Sequence, residues 1–323
     1  MKIKISIIIP TYNRPKYLEK SLLSLLNQNF SKADYEIFVV DNAPSNDFAK
    51  NIVNKYSETN PNLKYLREER LGNHYARNTG SKNAKAKILA FVDDDALYGY
   101  NWLKELYRTF ENTKADCVGG KVIPIWETGK PLWLKEVPPS YYAIVNFGNQ
   151  QKQIYYPELA SVNFAIRKNV LFKVGGFNPE FFGKICLGDG ETGLQIKLLS
   201  KKYIIYYQPK ASCRHLIDKE RISLSYVRRR AANEGAAVSY GDYKKHRFSK
   251  IVLALRSFYF AFYAFGAFAF YLWFLANKNF RYYHYAWTYS CLWRRANYEF
   301  HLMHSVKLIR LVTKTNWIKD IYL

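Results

Sequence analysis

The order of hydrophobic and polar positions predicts strands that alternate with helices over roughly the first ninety residues. Short runs of aliphatic and β-branched residues indicate buried strands, and apolar residues spaced three or four apart indicate helices. Strands are predicted at residues 3–10, 36–41, 63–68 and 87–93, and helices after Asn13, at 46–56 and at 73–84. Short connections between such elements predict an α/β fold with a mostly parallel sheet flanked by helices.

Two of the predicted helices have sequence features that say how they begin or pack. The first has Asn13 as its expected cap, Pro15 in its first turn and an apolar face of leucines, at Leu18, Leu22, Leu25 and Leu26. In the third, the small residues Ala76, Gly80 and Ala84 recur every four positions. That spacing places them on one face, which suits close packing against the sheet.

The pattern becomes less regular after residue 116. Residues 117–157 are rich in aromatic residues and prolines and are predicted to form loops. Strands are predicted again at 159–167 and 203–209, with a glycine turn near 175 and a helix that has Leu194 and Leu198 on one face. A His and an arginine cluster follow, at His215, Arg221 and Arg228 to Arg230.

The composition changes after about residue 244, so we divide the chain into a catalytic-type domain, 1–244, and a basic, aromatic-rich helical region, 245–323. Residues 257–276 contain no charge, and a stretch of about 20 apolar residues can span a bilayer. Basic residues flank it on both sides, however, which disfavours a single span. We therefore expect a helix embedded in the cytoplasmic leaflet or a re-entrant helix pair. A buried helix and an oligomer contact are the alternatives.

The net charge of the chain limits the classes of binding partner but does not identify one. The formal net charge is +23, which favours anionic partners such as nucleotide phosphates, nucleic acids or lipid head groups. No nucleic-acid-binding motif occurs, so nucleic acid is not an expected partner. The hydrophobic content of 49% is enough for a sizeable core and argues against disorder.

Polar clusters follow three of the predicted strands. Residues 10–13, the pair Asp41 and Asn42, and the run Asp93 to Asp95 all stand at strand C-termini. These ends meet at one edge of a parallel sheet, where ligands bind. Alternate carboxylates there can hold one hard divalent cation, Mg²⁺ or Mn²⁺, which would offset the repulsion within the acidic run.

Four stretches in this order resemble the inverting family 2 glycosyltransferases, which have the Rossmann-like GT-A fold. They are "SIIIPTYNRPKYLEKSLLSLLNQ", "FVVDNAPSND", "ARNTG" and "ILAFVDDDA", and the likeness extends over roughly residues 3–230. The resemblance implies transfer of a sugar from a nucleotide sugar to a hydroxyl group. It also implies dependence on Mn²⁺ or Mg²⁺, with UDP as the expected nucleotide.

The resemblance also implies roles for particular residues. It assigns the nucleotide-binding loop to Pro10, Thr11, Tyr12 and Asn13, base recognition to Asp41, and contacts with the nucleotide or sugar to Arg77, Asp93, Asp94 and Asn163. Asp95 would bind the metal. Asp93 would face the ribose or a metal-bound water, and His215 would touch the metal or the leaving diphosphate.

The catalytic base is less well defined, because the family's Glu-Asp motif is altered here. Counting back from the strand at 203–209 places Glu191 at the position of the base, and Asp189 is the second candidate. Either carboxylate can accept a proton from an acceptor hydroxyl. A cap on the following helix is the alternative role for Asp189.

Three further features of the sequence each allow two interpretations. His215 could be structural. The arginines at 221 and 228–230 could neutralise the departing diphosphate or form a solvated or lipid-facing stripe. Trp126 and Trp133 could stack on a sugar or polyprenyl acceptor, although core packing is the commoner role of tryptophan.

These inferences predict a glycosyltransferase on the cytoplasmic face of the cell membrane, attached peripherally or monotopically through residues 245–323. Expected partners are a nucleotide-sugar donor, a glycan or polyprenyl-linked acceptor and the membrane surface. A homo-oligomer is left open. A nucleotidyltransferase and a non-catalytic basic protein that binds membranes or nucleic acid are the rival classes.

Overall fold

The computed structural model describes residues 3–42, 45–179, 181–182, 185–186, 190–277 and 283–318. The strands are β1 Ile5–Thr11, β2 Tyr35–Asn42, β3 Leu63–Glu68, β4 Ile88–Val92, β5 Ala96–Tyr98, β6 Cys117–Trp126, β7 Lys152–Ile154, β8 Asn163–Arg167, β9 Phe181–Phe182, β10 Ile185–Cys186 and β11 Ile205–Ile217. The α-helices are α1 Pro15–Leu26, α2 Phe48–Ser57, α3 Asn73–Asn83, α4 Trp102–Asn112, α5 Lys168–Lys173, α6 Gly190–Ser200, α7 Leu224–His246, α8 Lys250–Asn277, α9 Tyr283–His304 and α10 Val306–Thr313.

Among the described residues, nine strands form one sheet in the order β3-β2-β1-β4-β8-β6-β11-β5, with β7 also paired to β11. Strands β1 to β4, β6 and β11 run in one direction, whereas β5, β7 and β8 run in the other. The predicted α/β class and mostly parallel sheet are therefore confirmed. All six strands of the main direction end at one edge, and that edge carries the candidate site.

Close packing against this sheet explains the small residues of α3. A Cβ on Gly80 would lie 2.5 Å from Ile8 Cγ2 of β1, and Ala76 and Ala84 are buried. Any side chain at position 80 would push α3 away from β1. The four-residue spacing of small residues therefore lets α3 lie directly on the sheet.

The prediction of loops over residues 117–157 is wrong in part. This segment contains β6, two short 3-10 helices at Leu132–Glu136 and Pro139–Tyr142, and β7. The aromatic residues and prolines of the segment led to the loop prediction, but its first part, with Gly119 and Gly120, forms a strand that needs these glycines. A Cβ on Gly119 would lie 2.5 Å from Leu159, and one on Gly120 would overlap the carbonyl of Ala211.

The other element predictions differ from the structure in smaller ways. Asn13 is not the cap of α1: Arg14 holds that position without a side-chain cap bond, and Asn13 lies before it with a left-handed φ of 50°. The strand predicted at 159–167 is limited to β8, the one predicted at 203–209 extends to Ile217, and β5 and α4 were not predicted.

Helices α7, α9 and α8 pack in successive layers on the sheet domain. Helix α9 lies between α7 and α8, and the ring pairs Phe268–Tyr289 and Phe274–Tyr283 show that α8 and α9 are antiparallel. The chain then returns to the sheet domain, where Ile318 is buried in the main core. The predicted domain boundary at residue 244 falls inside the last turn of α7.

Candidate active site

The three aspartates after β4 each face a different partner. Asp93 Oδ1 accepts a hydrogen bond from Arg77 Nη2 of α3 at 2.7 Å. Asp94 Oδ2 accepts one from Thr11 Oγ1 at the end of β1, also at 2.7 Å. Asp95 turns toward β11. The three carboxylates therefore bind different partners, and each has a cationic or polar neighbour.

Asp95 is the centre of the most highly charged cluster. Its carboxylate lies 3.2 Å from His215 Nε2, 2.8 Å from Arg14 Nη1 and 2.5 Å from Arg221 Nη2. Strand register brings His215 here, because it pairs with Ala96 across the β5–β11 ladder. Two residues that are distant in the sequence are therefore held side by side by backbone hydrogen bonds.

Electrostatics keep the three carboxyl groups in different states. Burial and the nearby Asp95 raise the pKa of Asp94 to about 7. Burial likewise raises the pKa of Asp93, although Arg77 opposes it. At Asp95, burial is outweighed by His215 and Arg221, so its pKa is lowered well below the usual range. Asp95 is consequently the most firmly ionised acid of the three.

His215 is oriented by its other ring nitrogen. Nδ1 donates to the backbone carbonyl of Tyr142 at 2.9 Å, which leaves Nε2 facing Asp95 and Arg221. Burial alone would lower the pKa of His215, but the Asp95 carboxylate outweighs it and raises the pKa. A histidine held by a backbone carbonyl and presenting Nε2 is the usual arrangement of a metal-binding imidazole.

The residues around Asp95 fit part of a divalent-cation site. In the described ranges, no three His, Cys, Asp or Glu side chains converge as a complete ligand set. Asp95 and His215 do offer an oxygen and a nitrogen on one cavity wall. Divalent ions in nucleotide sites commonly take one or two protein ligands and complete their shell with phosphate oxygens and water. The donor set fits that pattern.

The predicted base, Glu191, faces the same cavity from the start of α6. Its Oε2 lies 3.6 Å from His74 Nε2, which is longer than a hydrogen bond, and its side chain is about one-third exposed (33%). Arg77 Nη1 donates to His74 Nδ1 at 3.3 Å and thereby favours the tautomer with the proton on Nε2. Arg77 thus links Asp93 to the histidine beside Glu191.

The pKa shifts in this group keep Glu191 ionised. Burial would raise the pKa of Glu191, but the nearby cationic groups, Arg77 first among them, outweigh it, so its pKa is lowered. Burial and Arg77 lower the pKa of His74 to about 3. Near neutral pH, Glu191 is therefore an ionised carboxylate beside an uncharged imidazole.

These groups line one cavity of about 790 Å³ at the C-terminal edge of the sheet. Its lining includes nine of the predicted site residues: Pro10, Thr11, Tyr12, Arg77, Asp93, Asp94, Asp95, Glu191 and His215. The volume falls in the range of about 300–1,000 Å³ that is typical of small-molecule sites.

Three predicted site residues lie outside the cavity lining. Asp41 is buried and accepts a hydrogen bond from Tyr65, and its neighbour Asn42 lines the cavity instead. Asn13 is exposed and bonds to Ser45, joining two loops.

The structure gives the third, Asn163, a structural role in place of the predicted sugar contact. Its amide donates to the carbonyls of Lys121 and Ala211 and accepts from Trp102. Asp189 lies outside the described residues.

Sequence reasoning gave no role to four residues of the site: Arg14, Asn42, His74 and Arg294. Arg14 lies next to the predicted loop, and its position beside "PTYN" was a usable signal. His74 precedes Arg77 by three positions, which places both on one helix face. Asn42 and Arg294 also line the cavity. Arg294 gave no local signal, because α9 brings it in from the C-terminal region.

The consecutive arginines of α7 point in different directions. Arg228 donates to Ser290 of α9 and stacks on Tyr271 of α8, whereas Arg229 and Arg230 line the cavity. For Arg230 this replaces the solvated or lipid-facing position that the sequence favoured.

The two tryptophans lie outside the cavity lining. Trp126 packs on Tyr142 and Trp133 stacks on Tyr283 of α9. For both, packing is the role that the contacts support.

A mixed α/β sheet with acids and a cavity at its strand ends is typical of proteins that bind a nucleotide-sized ligand. Residues 6–174 match the family model "Glycosyl transferase family 2", which covers more than half of the chain. The chain therefore belongs to glycosyl transferase family 2, and the family expected from the sequence is confirmed.

Relatives of known description are similar over part of the chain. Glycosyltransferase AglE of Haloferax volcanii is 33% identical over 174 residues, 54% of this chain and 55% of AglE. The poly(ribitol-phosphate) beta-N-acetylglucosaminyltransferase TarP of Staphylococcus aureus is 33% identical over 120 residues, 36% of each chain. The chain thus spans about half or less of the curated relatives it matches.

Two solved structures share the fold. The mannosyltransferase PcManGT from Pyrobaculum calidifontis, in complex with GDP-Man and Mn²⁺, superposes with a TM-score of 0.54 at 20% identity, over 77% of this chain and 66% of that one. TarS of S. aureus with UDP-GlcNAc gives 0.50 at 22% identity, over 72% and 66%. At these identities the likeness supports the GT-A fold alone.

Proposed function

We propose that the protein transfers a sugar from a nucleotide sugar, UDP-linked by expectation, to a hydroxyl group of a glycan or lipid-linked acceptor, with inversion at the anomeric carbon. The carrying observation is that the Asp95 cluster and Glu191 face one cavity. The cluster can hold a charged leaving group and Glu191 can accept a proton. Inversion needs both functions in one site, because attack and departure occur together.

The donor would occupy the part of the cavity nearest β1. Pro10, Thr11 and Tyr12 line that part, and Tyr12 is about half exposed (48%), so its ring is available for stacking on a nucleotide base. TarS is described with UDP-GlcNAc and PcManGT with GDP-Man, so the choice of UDP rests on the sequence resemblance. The resemblance assigns recognition of the base to Asp41, whose carboxylate accepts a hydrogen bond from Tyr65.

A divalent cation would be held by Asp95 and His215, and the resemblance implies that Asp93 would face the ribose or a metal-bound water. It would supply positive charge to the diphosphate as the glycosidic bond breaks. Arg14 and Arg221 would add charge-assisted hydrogen bonds to the same phosphate oxygens. PcManGT is described with Mn²⁺, and Mg²⁺ suits the same ligands.

Glu191 would hold the acceptor hydroxyl and take its proton. The lowered pKa keeps it ionised at neutral pH, and Arg77 and His74 fix its surroundings. Asp189 is the alternative base.

Residues 245–323 would keep the protein at a membrane. Helix α8 is the one described helix that is long and apolar enough to cross a bilayer. A stripe of large, strongly exposed side chains follows one face of α8, at Ile251, Leu255, Phe258, Phe262 and Phe265. The spacing of three and four residues makes this one continuous apolar surface.

The neighbouring helix favours a position in the membrane interface over a transmembrane span. Helix α9 runs alongside α8 and carries Arg295 and Glu299, which belong to an ion cluster with Arg256 and Asp242. A span by α8 would bring α9, which packs along it, into the hydrocarbon region, although α9 also packs on α7 and, through Trp287, on the sheet domain. A helix that lies in the interface, on the cytoplasmic face, leaves those contacts in place.

The first prediction concerns the reaction. We expect the full chain to hydrolyse or transfer from at least one member of a sugar-nucleotide panel in the presence of Mn²⁺, and to lose this activity in EDTA. Release of free nucleotide, measured with and without candidate acceptors, is the readout. Absence of both binding and turnover across the UDP-, GDP- and other sugar nucleotides would rule out the proposed function. Release of pyrophosphate would instead indicate a nucleotidyltransferase.

The second prediction concerns the exposed stripe. The double substitution Phe262→Glu and Phe265→Glu should release the protein from vesicles of phosphatidylglycerol and phosphatidylethanolamine, measured by co-sedimentation. Two acids in the interface remove apolar burial and repel anionic lipid. Leu23→Glu, at an exposed apolar position on α1, is the control that should stay bound. Equal release of both variants would show that the stripe is not the contact.

A further inference from the structure

Three arginines of the C-terminal helices form one wall of the cavity. Arg229 and Arg230 come from α7, and Arg294 comes from α9. Over the described ranges, none of the three forms a salt bridge, whereas Arg14 and Arg221 are both engaged by Asp95. Arg230 Nε is also buried without a hydrogen-bond partner. Among the described residues, the guanidinium groups of this wall therefore have no carboxylate counter-ion, although Arg229 lies over the ring of Tyr226.

Helix geometry explains why these arginines gather. Successive residues of an α-helix are about 100° apart, so Arg228 and Arg230 point to nearly opposite sides. Arg228 is fixed between α8 and α9 by Tyr271 and Ser290, which turns Arg230 toward the cavity.

A close approach of α7 and α9 brings in the third arginine. A Cβ on Gly235 of α7 would overlap the carbonyl of Cys291 of α9. Arg294 lies one helical turn beyond that contact, and it lines the same cavity as Arg230.

The position of this wall relates it to the base. Arg230 and Glu191 line the same cavity, and the charge of Arg230 is among the causes that lower the pKa of Glu191. The donor side already has its own cations around Asp95. The attacking hydroxyl must approach Glu191, so an anion on this wall would belong to the acceptor.

We propose that Arg229, Arg230 and Arg294 bind a phosphate or diphosphate group of the acceptor and so hold its hydroxyl at Glu191. This inference rests on the proposed function and adds a phosphate-linked acceptor class to it. Guanidinium groups bind phosphate oxygens in pairs, with direction as well as charge. Helix α9, which carries Arg294, packs along the exposed helix α8, so the phosphate group of a lipid-linked acceptor would fit here. A phosphate in a soluble polymer has the same chemistry.

The test measures binding rather than transfer, so that it can fail separately from the proposed function. Isothermal titration calorimetry would use the full chain saturated with UDP or GDP, whichever binds, and geranyl diphosphate or inorganic pyrophosphate as the probe. Arg230→Gln and Arg294→Gln should each weaken probe binding by roughly ten-fold or more, the scale of a lost charged hydrogen bond. Nucleotide affinity should stay within about two-fold. Lys245→Gln is the control for the change in net charge, because Lys245 is exposed at the far end of α7.

Each outcome decides one question. Loss of probe affinity with nucleotide affinity retained supports the proposal. In that case, tighter binding of geranyl diphosphate than of pyrophosphate indicates a lipid-linked acceptor, and equal binding indicates a soluble one. A parallel loss of nucleotide affinity would assign the arginines to the donor and overturn the proposal. So would an unchanged probe affinity in both variants, a similar loss in Lys245→Gln, or no binding of either probe to the wild-type protein. Circular dichroism and thermal unfolding would establish that the variants fold.

Discussion

Asp95→Ala should reduce sugar transfer by at least about 10³-fold, the largest effect expected among the three neighbouring aspartates. Several kcal/mol of charge stabilisation depend on this site, and each 1.36 kcal/mol is about ten-fold in rate. Removal of the carboxylate would also leave His215, Arg14 and Arg221 without their shared acceptor. Initial rates at saturating donor, with Mn²⁺ varied, would measure the loss.

The neighbouring acids provide the matched controls. Asp93→Ala should remove much of the activity, because Asp93 lines the cavity and bonds Arg77. Asp94→Ala should have the smallest effect, because its carboxyl is turned to Thr11 and its pKa is raised to about 7. Equal losses from all three variants would contradict the division of roles. An Asp95→Ala protein that retained normal Mn²⁺ dependence would exclude Asp95 as a metal ligand.

Glu191→Gln should lower kcat by about 10²–10⁴-fold, the usual contribution of general acid–base catalysis, while donor binding persists. The amide keeps the size of the side chain but cannot take the proton. Single-turnover transfer and nucleotide binding, measured on the same preparation, would separate the two effects. Glu158→Gln, at an exposed glutamate outside the cavity, should behave as the wild type.

The pH profile provides a second readout for Glu191. Because its pKa is lowered from 4.5, the base is ionised throughout the neutral range. Protonation of Glu191 should reduce the rate of sugar transfer only below about pH 4.5. Between pH 6 and 8 the rate should not change with the protonation of Glu191. If the Glu191→Gln variant transfers sugar at the wild-type rate, Glu191 is not the base and Asp189 becomes the candidate.

The repeating elements of the first half followed from local sequence. The strand predicted at 63–68 has the observed limits, and the strands and helices before residue 93 differ from prediction by a few residues at their ends. Each of these elements satisfies its own pattern: aliphatic runs are buried in the sheet, and leucines at helical spacing cover it. Their burial depends little on which distant segment comes next.

The elements that sequence reasoning missed depend on contacts between distant segments. Strand β6 contains Gly119 and Gly120, which weaken a strand by themselves but are required by the close approach of Leu159 and Ala211. Strand β5 has three residues and exists because β11 pairs with it. Local propensity carries no information about such neighbours.

The sequence alone determined the alternation of strands and helices, the polar clusters at the strand ends and the resemblance to family 2, because each is written in contiguous residues. Tertiary structure alone decided how the site is assembled. The β5–β11 register placed His215 against Asp95, and the packing of α9 on α7 brought Arg294 to the cavity. These contacts join residues far apart in the chain. Backbone pairing and helix packing set the positions of these residues, and the sequence around each residue does not predict them.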